Sequence, residues 1–144
     1  MTESLRGRPP ADPIDAKWDV DALKSGVGVT VVFGAPFFVL AGIVGNGRGS
    51  LGLLLVLVGL IGFVLGAGVA AWRQRCRSPL THGIVTSAGT YVVVQGVFVV
   101  VRLVRGDSVN LFTIVFTLTV TVFAGMIGGL LGIRLQKSGF EARR

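Results

Sequence analysis

Polar and apolar positions alternate along this chain in blocks, not in single residues. Four long apolar stretches, Gly26–Gly45, Leu51–Trp72, His82–Leu103 and Val109–Ile133, are divided by short polar segments. The second stretch, as a helix rising 1.5 Å per residue, is about 33 Å long, enough to cross a hydrocarbon core of ~30 Å. The block pattern therefore predicts an all-α membrane protein with four transmembrane helices at about 26–45, 51–72, 82–103 and 109–133. Only Asn46 to Ser50 separate the first two spans. So short a link predicts an antiparallel hairpin, and the last two spans form a second one around Arg105 to Ser108.

The segments outside the spans are polar. Residues 1–25 carry Pro9, Pro10 and Pro13 and read as a disordered cytoplasmic tail, with a short interfacial helix from Asp15 to Ser25 that sets Trp18 at headgroup level. A secretory leader is not expected, because the first apolar run starts late and no small-x-small cleavage site follows it. Pro36, with Gly34 beside it, should kink the first span. Ser78 before Pro79 is a helix start, the serine oxygen capping and the proline filling the first turn. Asp107 or Ser108 is expected to cap the fourth span. Residues 26–134 form the membrane domain and 135–144 a basic cytoplasmic tail.

Composition supports lipid as the solvent. Charged residues make up 15% of the chain, against about a quarter in soluble domains, and mean hydropathy is +0.76. The pI near 11.1 does not signal nucleic-acid binding, because Lys and Arg sit in short segments between apolar runs and are not spread over one surface. Their placement sets orientation instead. Arg6, Arg8, Lys17 and Lys24 precede the first span, Arg73, Arg75 and Arg77 fill the middle loop, and Arg134, Lys137, Arg143 and Arg144 follow the last. The other two turns hold Arg48, Arg102 and Arg105. This bias puts both termini in the cytoplasm. The same basic segments could hold anionic lipid headgroups.

Small residues form two seams suited to close helix approach. In the second span Gly59, Gly62, Gly66 and Ala70 fall, with Gly52, within about 80° on a helical wheel. In the fourth, Thr117, Thr121, Ala124, Gly128 and Gly132 continue a stripe begun at Thr113. The seams predict packing within one chain, with a homo-oligomer or larger membrane complex as the alternative. The two hairpins share an in-out-in sense, which suggests either a parallel repeat or convergence on the same topology signals.

Candidate chemistry is sparse. Six of the seven carboxylates lie in the tails and the seventh, Asp107, in a turn, so the spans lack the ionisable group that marks many ion paths. Small multidrug exporters need a membrane-embedded Glu, and fluoride channels a buried Asn with a broken Thr- and Phe-containing helix; this chain matches neither. A lone cysteine, Cys76, forms no internal disulfide; it is read as a small residue in a basic loop, with a thiol activated by Arg75 and Arg77 as the alternative. His82 has Thr86, Gly89, Thr90 and Gly96 on its face and is read as an interfacial His bonded to the loop, with a ligand, relay or pH-sensing role as the alternative. One His and one Cys are too few for zinc, so no metal or cofactor is expected. Gln95, flanked by Tyr91 and Arg102 on the wheel, forms a polar strip that suits an interhelical hydrogen bond or the lining of a path.

The segment SPLTHGIVTSAGTYVVVQ at 78–95 and the helix end AGMIGGLLG at 124–132 make the chain similar to small four-helix membrane proteins of unassigned activity in GC-rich Gram-positive, actinobacterial-type bacteria. The resemblance spans most of residues 26–136 and implies a fold but no chemistry. The expected function is a non-enzymatic structural or accessory membrane subunit. The alternative is a small oligomeric channel or transporter with a Thr/Gln-lined path.

Overall fold

The computed structural model describes residues 18–45 and 49–139. Most of the N-terminal tail and the end of the basic C-terminal tail lie outside the described residues. Five helices follow in order: α1 (Val20–Phe33), α2 (Ala35–Gly45), α3 (Ser50–Arg73), α4 (Pro79–Val104) and α5 (Leu111–Lys137). α1 and α2 together make one membrane-length segment, Val20–Val44, so four segments are long and apolar enough to cross a bilayer. The fold is all-α.

The helix ends differ from the sequence expectation for local reasons. α1 starts at Val20, where the Asp19 carboxylate accepts the Ala22 N–H at 3.0 Å and caps it, and it runs on through Gly26 without a break between the short helix expected before the first span and the span itself. α4 starts at Pro79, but its N-cap residue Ser78 makes no side-chain capping bond; the hydroxyl turns to His82 instead. The cap of α5 is Asn110, whose side chain accepts the Thr113 N–H at 3.2 Å, and not Asp107 or Ser108. α5 then runs on to Lys137, with Arg134 and Lys137 in its last turn at the negative end of the helix dipole.

The break between α1 and α2 falls at Gly34, two residues before Pro36. Proline has no N–H to return to the preceding turn, and the bond from Phe38 N–H to the Gly34 carbonyl is stretched to 3.4 Å. α3 crosses close to this break. A β-carbon on Gly62 would lie 2.5 Å from the Gly34 nitrogen and from the Phe33 carbonyl oxygen, and one on Gly59 would meet the Phe38 ring at 2.7 Å.

α3 is the centre of the bundle, packed on α1 and α2 on one side and on α4 and α5 on the other. The register follows from the contacts. Gly26 faces Gly66 and Ala70 while Gly34 faces Gly62, so α1 and α3 are antiparallel. Gly83 faces Gly125 and Gly129 while Tyr91 reaches Ile114, so α4 and α5 are antiparallel too. Gly128 meets Val64 and Ala67 while Gly132 meets Ala71 and Trp72, so α3 and α5 run parallel. The two antiparallel pairs use matching contacts. A β-carbon on Gly26 would lie 2.6 Å from the Gly66 carbonyl oxygen, and one on Gly83 would lie 2.7 Å from that of Gly125. Thr30 then stands against Gly66 as Ser87 stands against Gly125.

Phe63, Tyr91 and Ala124 form the buried cluster, with Phe38, Leu60, Val64, Ile114 and Leu118 against it. Phe38 meets Phe63 edge-on at 5.2 Å. The outward face is apolar as well: Leu53, Leu57, Ile61 and Leu65, one helical turn apart on α3, are all exposed. A surface of this kind is matched to lipid, where apolar side chains carry no penalty on the outside.

Candidate functional site at one end of the bundle

The polar side chains converge where α1 begins, α3 ends and α4 begins. His82 stands one turn into α4 and is fully buried. Its Nε2 accepts the backbone N–H of Asp19 at 3.0 Å. The other ring nitrogen, Nδ1, must therefore carry the hydrogen, and it donates to the Ser78 carbonyl at 2.9 Å. The Ser78 hydroxyl lies 3.2 Å from the same nitrogen, and the Trp18 ring leans on the imidazole with centroids 5.7 Å apart.

Asp19 is the second member of the junction. One carboxylate oxygen caps α1 and the other accepts the backbone N–H of Arg75 at 3.2 Å, in the loop after α3. Gln74 is buried and its side-chain oxygen accepts the Ser78 N–H at 3.3 Å. From α5, the Gln136 amide nitrogen reaches the carbonyls of Ala71, Trp72 and Gln74 at 3.1, 2.9 and 3.1 Å. These are orphan carbonyls at the C-terminal end of α3. The start of α1, the end of α3, the start of α4 and the end of α5 are thereby tied together. Arg77 takes a left-handed backbone conformation, φ 53°, within this loop.

Ser78, His82 and Asp19 bring the residue types of a nucleophile relay within reach, but the polarity is wrong for one. The nitrogen facing serine already donates to a carbonyl, and the nitrogen facing Asp19 meets its backbone N–H and not its carboxylate. A relay needs a free acceptor nitrogen toward the hydroxyl and a carboxylate behind the ring. What this geometry does is fasten helix ends. Among the described residues no three or more His, Cys, Asp and Glu side chains gather around a common point, and Cys76 is half-buried in the same loop.

The other expected polar residues are not drawn into this site. Tyr91 is buried and donates its hydroxyl to the Ile114 carbonyl at 3.1 Å. Gln95 is half-buried one turn further on, and Arg102 is exposed near the other end of α4. Of the face grouped with His82, Thr86 and Thr90 are buried, whereas Gly89 and Gly96 are exposed. Thr86 is the one side chain, among the described residues, with a fully buried and unbonded polar atom.

The seam residues divide by partner. Gly59, Gly62 and Gly66 face α1 and α2, and Ala70 faces Gly26. Gly128 and Gly132 face α3, and Ala124 joins the central cluster. Thr121 is buried and donates to the carbonyl of half-buried Thr117 at 2.7 Å.

Comparison with known proteins leaves this geometry to speak for itself. No family model, curated protein or solved structure matches the chain. The residues of the junction that composition and spacing did not single out are Asp19, Gln74 and Gln136. Asp19 had a local signal, an acidic residue just before a helical run; the two glutamines had none.

Proposed function

We propose that this chain is a structural or accessory subunit of a cell membrane, with both termini on the cytoplasmic side, and not an enzyme. The observation that carries this reading is how the small-residue seams and buried hydroxyls are used. Both seams lie against neighbouring helices of the same chain, with backbone approaching backbone. The hydroxyls of Thr30, Thr90 and Thr121 donate to carbonyls one turn back in their own helices, and Ser87 donates to the Phe63 carbonyl across to α3. Hydroxyls spent this way do not line a path through the chain. They support a compact four-segment body whose outer face is left for lipid or for a partner.

The orientation draws on charge. Lys24, Arg73, Arg75, Arg77, Arg134 and Lys137 share the end of the bundle that holds the His82 junction, and Arg102 and Arg105 lie toward the other. Positive charge collects on the cytoplasmic side.

A channel built from several copies is the competing reading, and half-buried Gln95 is the observation that favours it. Crosslinking in native membranes, with identification of the captured chains, tests the first reading; a stoichiometric partner is the expected result. Ion flux into liposomes holding the purified protein alone, abolished by Gln95→Leu, would overturn it in favour of the second.

A further inference from the structure

A shallow groove of about 360 Å³ runs between α1 and α3 at the junction end, lined by Lys24, Ser25, Gly28, Val29, Val32, Phe33, Val69 and Arg73. Its two cations stand at one end and on opposite lips, Lys24 on α1 and Arg73 at the end of α3. Below them the lining is apolar apart from Ser25, whose hydroxyl is already given to the Asp21 carbonyl at 2.8 Å. Gly28 keeps the floor open, since a β-carbon there would meet no atom within 4 Å. From Lys24 to Phe33 the groove follows α1 for about 14 Å.

We propose that this groove binds one anionic phospholipid, its headgroup phosphate between Lys24 and Arg73 and one acyl chain lying along Gly28, Val29, Val32 and Val69. Charge complementarity selects the occupant. A phosphate is the anion a membrane places at this depth, and two cations on separate helices can hold it from both sides. Lys24 is free to do so, because the one ion pair it makes among the described residues, with Asp21, is 4.0 Å long with both side chains largely exposed, a contact of little strength. A zwitterionic lipid would fill the same apolar floor and carries the same phosphate, but the ammonium of its headgroup would stand beside two like charges. Arg134 and Lys137 offer a contrast: they are equally basic, sit at the same end, and both belong to one helix.

The proposal rests on the bundle being membrane-embedded, and the two fail differently. Protein that stayed in the supernatant without detergent would remove the membrane reading itself. The groove is tested on the full chain purified in mild detergent, by native mass spectrometry with phosphatidylglycerol or phosphatidylcholine of identical acyl chains. Phosphatidylglycerol should be retained on the first adduct several-fold more than phosphatidylcholine. The exposed double substitution K24Q/R73Q should bring the two lipids near parity, while R134Q/K137Q keeps the preference. Gly28→Leu, which fills the floor and leaves both cations, should lower retention of both lipids. Equal retention by the parent protein, a preference that survives K24Q/R73Q, or an equal loss in R134Q/K137Q would each overturn the site.

Discussion

The backbone N–H of Asp19 and Nε2 of His82 are joined at 3.0 Å across 63 residues of sequence, in a part-buried contact whose acceptor ring is fully buried. Because the bond uses the backbone of Asp19, its side chain is free to cap α1 and to hold the Arg75 N–H. His82→Ala would leave the partly buried Asp19 N–H without its acceptor and empty the space of a fully buried ring, a cost of about 1–3 kcal/mol. Asp19→Ala would keep that bond and lose the cap, a cost of about 0.5–2 kcal/mol. Thermal unfolding in detergent should show both variants destabilised. An unchanged midpoint for His82→Ala would remove the junction from the list of what holds the fold.

Gly62 tests the close approach of α3 to the α1–α2 break. Backbone atoms of Phe33 and Gly34 occupy the space a β-carbon would need, and backbone cannot rotate away as a side chain can. Gly62→Ala should cost about 1–3 kcal/mol through overpacking. Gly89→Ala, at a position open on all sides, should be neutral or slightly stabilising because alanine favours the helix. Titration of both variants with a denaturing detergent distinguishes them, and equal midpoints would contradict the packing described.

Gln136 reaches three carbonyls at the end of α3 with a single amide nitrogen. Gln136→Ala should cost about 1 kcal/mol, the scale of a net hydrogen bond. Gln136→Glu should cost more, since it turns a donor into a negative charge facing carbonyl oxygens. The ordering, alanine milder than glutamate, is the measurable result in a thermal melt.

Cys76, the one cysteine of the chain, reports on orientation without any engineering. It lies half-buried in the loop between α3 and α4. With that loop in the cytoplasm, a membrane-impermeant maleimide should label the protein in permeabilised cells or inverted vesicles and not in intact cells. Labelling in intact cells would reverse the assigned sidedness.

Much of this protein is a property of composition and period. Four apolar blocks, each about as long as a bilayer is thick, are matched to lipid as the solvent, so the number of spanning-length segments and the helical class can be read directly from the chain. Small residues recurring on one face mark where helices approach, because only they let backbones come close. Helix ends were less legible. The cap oxygens of Asp19 and Asn110 compete with equally plausible neighbours, and Ser78 spends its hydroxyl on a ring one turn away.

Which surfaces those seams meet was decided by tertiary structure alone. Sequence places Gly128 and Gly66 in equivalent stripes, but only the parallel docking of α5 on α3 puts Gly128 against Val64 and Ala67, and only the antiparallel docking of α1 on α3 puts Gly66 against Thr30. The polar junction is of the same kind. Asp19 and Gln136 lie far along the chain from the Gln74–His82 segment, and neither glutamine stands out in its own segment. Hydrogen bonds act over about 3 Å, so their partners exist only once four helix ends have been brought to one place.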